Sequence, residues 1–372
     1  MQAGEIMRIH VKNSYSVVNP KKAIDSFGTL TTPHMFTRVF GEDTWEDGWI
    51  DQRHSIELDP SAFVLHYAGN VFEGMKAIRT VDGNVNIIRP HEHAMRFNRS
   101  CDRMVAPEMP EPEFIEAIDA LVHIDNGFVP DSNEGAYCYI RPNIIATTPA
   151  LGLNPPAEFL FYIILSPSKP FFGANPAPQS LLAVDQARAH PGGTGQAKTG
   201  GNYAGSLLFK KRARDHGHIE ALYIDQNQVT ETGAANFYMI KDGVFITPPL
   251  NGFEGKSGVI LQGITRKSIL EILPDLNIPV SERAITLDEL LTGITTGNVT
   301  EMGIMGTAAV IQPIKTIAYD RGTYTVASQQ LGTITSAVRN HLLNIYRGIE
   351  EDKHNWLHPV TAASLSMVYQ ER

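Results

Sequence analysis

A chain of 372 residues predicts two domains, at about 150 residues each, and buries roughly three quarters of its unfolded surface without disulfide or metal staples. The 42% hydrophobic and 19% charged content is globular, and a net charge of −9 argues against nucleic acid and anionic membranes as partners. Two cysteines, Cys101 and Cys138, exclude a disulfide framework and a cysteine-based zinc cluster, and no metal is expected. No apolar run reaches the ~18 residues of a membrane span, and no basic patch precedes an apolar stretch at the start, so a cytoplasmic protein is expected.

Along the chain, VDG (81–83) separates two strand-like runs and predicts a hairpin. Apolar residues at three-and-four spacing predict a helix over 112–124. TTPALGLNPP (147–156) is rich in proline and glycine, carries no charge and predicts an interdomain loop. It divides a small N-terminal domain, 1–146, from a large C-terminal one, 157–372, that carries the chemistry-bearing lysine. FLFYIIL (159–165) reads as a buried strand. Asn202 predicts the cap of a helix ending at Gly217. Turns at 226–228 and at KDG (241–243) predict two more hairpins, and helices are expected over 264–273, stopped by Pro274, and 327–346. Hairpins with interspersed helices on both sides of the boundary indicate an α+β fold with mixed sheets.

The glycine-rich segment GGTGQAKTGGNYAG (192–205) encloses a single ammonium, Lys198. One reading is a phosphate loop, matched by Gly192, Lys198 and Thr199 but broken by Ala197 where that pattern wants glycine, and it implies a nucleotide-binding protein. Another is a lysine that forms a Schiff base with an aldehyde cofactor, with Tyr203 able to bond the cofactor's ring oxygen. An isolated lysine in such a loop is otherwise simply solvated.

The surrounding motifs separate these readings. KTGGNY (198–203), TETGAANFYMI (230–240), GITRKSILEIL (263–273), SERAITLDEL (281–290) and MGTAAVIQPI (305–314) follow one another. LHYAGNVFEGMKAIR (65–79), RPHEHAMRFNRS (89–100) and YIRPNIIATTPALG (139–152) stand upstream. In order and spacing, over 27–346, they resemble the branched-chain aminotransferases, the pyridoxal-phosphate enzymes of fold type IV within the class IV aminotransferase family. The resemblance implies pyridoxal 5′-phosphate as cofactor, Lys198 as the imine-forming amine and Glu231 as the carboxylate on the pyridine nitrogen. It implies Arg96, Tyr203, Thr307 and the first turn at Ile264 and Thr265 as further cofactor ligands. It places Phe27, Tyr67 and Phe72 beside the substrate side chain, and Tyr139 and Ala308 at the α-carboxylate. Arg141 meets the second carboxylate of glutamate. Leu151 and Leu153 reach the pocket of a partner subunit, so a homodimer is implied.

The reaction so implied moves the amino group of L-leucine, L-isoleucine or L-valine to 2-oxoglutarate, giving branched-chain 2-oxo acids and L-glutamate in two half-reactions on Lys198. A D-amino acid transaminase or an aminodeoxychorismate lyase of the same fold is the alternative, and Tyr139, Arg141 and the long N-terminal segment with TTPHMF (31–36) favour the branched-chain branch. The chain departs from the common pattern at Ala234, where many relatives have threonine, and at Gln262, where proline is usual. Its 251–263 loop is longer and more glycine-rich than the usual turn.

Overall fold

The chain folds as two compact units, one of Met1–Phe171, Ala197–Gly200 and Ile345–Arg372, the other of Phe172–Gln196 and Gly201–Asn344. The computed structural model describes residues 7–12, 27–132, 135–170, 173, 176–250, 258–327 and 332–361, with the backbone of 367–370. Most of the 251–263 loop, 251–257, lies outside the described residues. No helix among the described residues is long and apolar enough to cross a membrane.

The first unit carries β1 (Ile9–Lys12), β2 (His34–Gly41), β3 (Thr44–Trp45), β4 (Gly48–Gln52), α1 (Phe63–Tyr67), β5 (Asn70–Phe72), β6 (Met75–Arg79), β7 (Val85–Ile88), α2 (Pro90–Arg103), α3 (Glu111–Ile124), β8 (Tyr137–Ala146) and β9 (Phe159–Ser168). Two strands of the C-terminal segment, Leu357–Pro359 and Met367–Gln370, complete an eleven-stranded sheet. Its order is Leu357–Pro359, β7, β6, β8, β9, β2, β4, β1, Met367–Gln370, with β3 on β2 and β5 on β8. The predicted helix over 112–124 is α3, whose Phe114, Ile115, Ile118, Leu121 and Val122 are buried at helical spacing. Phe97 of α2, Phe114 of α3 and Phe161 of β9 meet with ring centroids 5.2 to 5.9 Å apart, which joins the helices to the sheet.

The expected boundary at 147–156 does not divide the chain. β8 and β9 pair antiparallel over their whole length, from Tyr137↔Ser168 to Ala146↔Phe159, so the loop joins neighbours in one sheet. The units part instead after Phe171, and the lysine segment Ala197–Gly200 belongs to the first unit, not to the large C-terminal one. Proline and glycine mark a turn, but they carry no information on whether the flanking strands pair.

The remaining elements are β10 (Gln179–Asp185), α4 (Gly200–Asp215), β11 (Glu220–Asp225), β12 (Gln228–Thr232), β13 (Asn236–Lys241), β14 (Val244–Thr247), α5 (Ile264–Ile272), β15 (Val280–Glu282), α6 (Leu287–Thr296), β16 (Val299–Gly306), β17 (Val310–Tyr319), β18 (Gly322–Thr325) and α7 (Thr333–Tyr346). The second sheet runs β12, β11, β10, β17, β16, β13, β14, β15, with β18 on β17. A further pairing of β12 with β13 closes six of these strands into a ring, and its contact is Glu231↔Asn236. Two of the three predicted hairpins form with two-residue loops in which both residues have positive φ, Gln226 and Asn227 at 48° and 61°, Asp242 and Gly243 at 51° and 78°.

Helix α4 starts two residues before the expected cap. Asn202 is inside it, and its side chain donates to Thr194 O (2.7 Å) and accepts from Thr194 Oγ1 (2.7 Å), tying the preceding glycine-rich turn to the helix. The cap of α7 comes from outside the helix. Glu301 of β16, nearly buried, accepts from the N–H groups of Ile334 (3.0 Å) and Thr335 (2.8 Å). Glu301→Ala is expected to destabilise the protein by roughly 1–2 kcal/mol, seen as a lower urea midpoint; an unchanged midpoint would mean that this cap contributes nothing.

Candidate active site

In the first unit the lysine segment is pinned on both sides. Thr199 bridges Val71 of β5, Phe72 N–H donates to Lys198 O (3.0 Å), and Lys198 N–H donates to Ser100 Oγ on α2 (3.0 Å). A lysine in a phosphate loop offers its backbone N–H to the anion; here that N–H is bonded to Ser100, although α4 follows as promptly as that loop requires. Lys198 Nζ lies 4.8 Å from the centre of the Phe72 ring.

Phe72 leads to the other expected substrate residues. The Arg141 guanidinium on β8 lies 4.9 Å from the Phe72 ring and 5.2 Å from that of Tyr139, and its Nη2 donates to Tyr139 Oη (3.2 Å). Phe27 meets Tyr139 edge to face at 4.8 Å. Five residues from four separate stretches of sequence thus form one continuous cluster. Residues 139 and 141 share a face because successive side chains of a strand alternate. The Tyr139 hydroxyl fits only because residue 74 is glycine, since a Cβ there would lie 1.7 Å from it. Tyr67, at the end of α1, instead donates to Leu151 O (2.5 Å), and Leu151 and Leu153 are 64% and 75% exposed.

Of the three arginines of α2, Arg96 is buried while Arg99 and Arg103 are exposed. Arg96 grips Glu73 with two parallel bonds, Nε to Oε1 (2.7 Å) and Nη2 to Oε2 (2.8 Å). His93 Nδ1 lies 2.6 Å from Glu73 Oε2, and Gly74 N–H donates to that oxygen (3.1 Å). Burial pushes the Glu73 carboxyl up, but the charges of Arg96 and His93 and their hydrogen bonds outweigh it and hold the group well below the usual carboxylate range. Burial lowers the His93 imidazole against the opposing pull of Glu73. Glu73 was not singled out in the sequence, although FEG and RPHEH both lie in the motifs quoted.

In the second unit Glu231 is buried on β12. Its Oε1 accepts from Arg188 Nε (2.8 Å), Arg188 Nη2 (2.6 Å) and Leu261 N–H (3.1 Å), and its Oε2 from Asn236 Nδ2 (3.1 Å). Burial alone would lower the Arg188 guanidinium, but the charge of Glu231 outweighs it and raises it. Arg188 lies outside the sequence motifs, and only its position before the glycine-rich turn could have suggested it. Asn236 also donates to Leu261 O (3.0 Å), and its Oδ1 lies where a Cβ of residue 263 would come within 2.0 Å, so Gly263 lets α5 begin against it. The first residues of α5, Ile264 and Thr265, are buried, and the N-cap residue, Gly263, has no side chain to cap the helix start. Tyr203 is half-buried on α4. Thr307 and Ala308 form the turn from β16 to β17, two and three residues beyond Met305, which pairs with Asn236. Val310 closes that turn at φ 57°, a left-handed conformation costing a β-branched residue roughly 1–3 kcal/mol.

Residues 70–317 match the Amino-transferase class IV family. The chain is 39% identical over 337 residues to a probable branched-chain-amino-acid aminotransferase of Streptomyces coelicolor, covering 89% of this chain and 91% of that one. Its fold is similar to that of the Escherichia coli branched-chain amino acid aminotransferase, at 26% identity and a TM-score of 0.71, over 87% of this chain and 99% of that one. It is also similar to a T.th. branched-chain amino acid aminotransferase crystallised with pyridoxamine 5′-phosphate, at 27% identity and a TM-score of 0.70, over 87% and 98% of the two chains. The chain belongs to the class IV aminotransferase family, and its relatives there are the branched-chain-amino-acid aminotransferases.

Proposed function

We propose that the chain is a branched-chain-amino-acid aminotransferase that moves the amino group of L-leucine, L-isoleucine or L-valine to 2-oxoglutarate on a pyridoxal 5′-phosphate held by Lys198. The continuous cluster of Lys198, Phe72, Arg141, Tyr139 and Phe27 carries this reading, because it joins the reactive amine to apolar surface and to one fixed cation.

The residues fit such a cofactor. Thr199 Oγ1 is buried beside Lys198 with no hydrogen-bond partner among the described residues, Glu231 is a buried carboxylate paired with Arg188, and α5 starts on a glycine, Gly263, that has no side chain to cap it. Bound, the cofactor supplies an electron sink for charge developing at the substrate α-carbon. Lys198 Nζ would bind it and, once the substrate amine displaces it, would take the proton from the substrate α-carbon and pass it on to the cofactor, with the transfer running backwards in the other half-reaction. Glu231 holds a proton on the ring nitrogen. Arg96, Thr307 and the first N–H groups of α5, at Ile264 and Thr265, take the phosphate, the last with the helix dipole behind them. Tyr203 takes the ring oxygen. Tyr139 and the backbone at Ala308 take the substrate α-carboxylate, Phe27, Tyr67 and Phe72 flank an aliphatic side chain, and Arg141 takes the second carboxylate of glutamate. We also read the protein as a cytoplasmic homodimer, with the exposed Leu151 and Leu153 serving the partner's pocket.

Lys198→Ala is expected to abolish both the visible absorption of the purified protein and turnover; transamination surviving in that variant would remove Lys198 from the reaction. Arg141→Met should weaken glutamate as donor roughly tenfold to hundredfold and leave leucine much less affected, measured as kcat/KM for each donor; equal losses would take from Arg141 any role in choosing substrate. Glu73→Gln should lower stability by about 3–5 kcal/mol, since it strands a buried guanidinium. The folded Glu73 titrates below its ordinary value of 4.5, so its stabilisation is complete above that pH and disappears as acid protonates it. Urea titrations of both proteins should therefore differ widely at neutral pH and converge in strong acid, and a constant difference would contradict the pairing.

A further inference from the structure

Asn70 on β5, Asn143 on β8 and Tyr162 on β9 are half-buried, lie in the first unit and take part in none of the roles above. With the backbone of Gly200 they form one hydrogen-bonded chain. Gly200 N–H donates to Asn70 Oδ1 (3.1 Å), Asn70 Nδ2 to Asn143 Oδ1 (3.3 Å) and Asn143 Nδ2 to Tyr162 Oη (2.5 Å). We propose that this relay positions the lysine segment: it fixes Gly200, the first residue of α4, against the strands that carry the substrate side chains, with Asn70 as the residue that makes the contact. This rests on the reading of Lys198 as the reactive amine.

Each link of the relay has one allowed direction. A backbone N–H can only donate, so Asn70 must turn its amide oxygen to Gly200. Its nitrogen then faces Asn143, which must answer with oxygen, and the nitrogen of Asn143 is left for the Tyr162 hydroxyl. A single fixed donor thus orients both carboxamides. The strands supply the spacing: Asn143 and Tyr162 are direct partners across β8 and β9, and Phe72 stands opposite Asn143 across β5 and β8. Asn143 follows Arg141 by two residues and so shares its face. At the other end, a Cβ on residue 200 would come within 2.6 Å of Asn70 Oδ1, so glycine lets the amide reach the backbone. Lys198 is already held at its own N–H by Ser100 and at its carbonyl by Phe72. Asn70 adds the restraint on the far side of the lysine, and it satisfies an N–H that the first turn of a helix leaves without an intrahelical partner. A reactive group loses rate steeply when its attachment shifts, which makes the anchor a matter of chemistry as well as of folding.

Asn70→Ala, Tyr162→Phe and the double variant test this in the full-length protein. Hydrogen–deuterium exchange resolved to the Gly200 amide is read with and without pyridoxal phosphate, and kcat and KM for leucine are read on the holoenzyme. Asn70→Ala is expected to speed Gly200 exchange about tenfold and to lower kcat by a similar factor, with KM little changed and the amides of α3 exchanging at the wild-type rate. Tyr162→Phe, which removes one oxygen, should move both quantities in the same direction by roughly two- to threefold. The double variant should lose no more than Asn70→Ala alone, since a chain cut at its working end gains nothing from its far member. Unchanged Gly200 exchange, equal acceleration in α3, losses that multiply in the double variant, or wild-type kcat beside a loosened Gly200 would each overturn the proposal. If Asn70→Ala does not fold, Tyr162→Phe decides, and wild-type exchange or wild-type kcat in it ends the relay. Transamination surviving in Lys198→Ala would instead refute the role of Lys198 and leave the exchange at Gly200 as measured.

Discussion

An ionised carboxylate is held inside a protein only where a fixed cation and well-aimed hydrogen bonds replace the water it has lost. This constraint is met twice in the chain, once in each unit. Glu73 is gripped by Arg96 with two parallel bonds and by His93 and Gly74. Glu231 is gripped by Arg188, Leu261 and Asn236. Both arginine side chains are buried, so breaking either pair would leave a stranded charge.

The backbone around these pairs is shaped to receive them. The pairing that closes the six-stranded ring of the second unit is Glu231↔Asn236, so the strand ladder and the side-chain bond from Asn236 to Glu231 enforce one another. Gly263 lets α5 start against Asn236, and Gly74 lets the Tyr139 hydroxyl lie against the chain. Each glycine removes the one atom that would push a functional group away. The turn at 307–308 is held by register, through Met305 opposite Asn236, and by the strained Val310.

Much of the local structure was legible along the chain. Hairpin loops with residues tolerant of positive φ formed as expected at 226–227 and 242–243, and α3 followed its apolar spacing. The helix start at Asn202 did not, because an asparagine amide can bond any nearby backbone, and here Thr194 claims it. The expected division at 147–156 failed because strand pairing is a long-range property. The order of motifs carried the family.

What the sequence determined by itself was a set of chemical groups and their order: an amine among glycines, an acid after a tight turn, aromatic residues and an arginine on alternating strand positions. Only the tertiary structure decided which groups neutralise one another. Arg96 stands 23 residues from Glu73 and Arg188 43 residues from Glu231. No periodicity links such partners; they meet because the sheets and α2 bring them together away from water, where an unpaired charge would be too costly to keep.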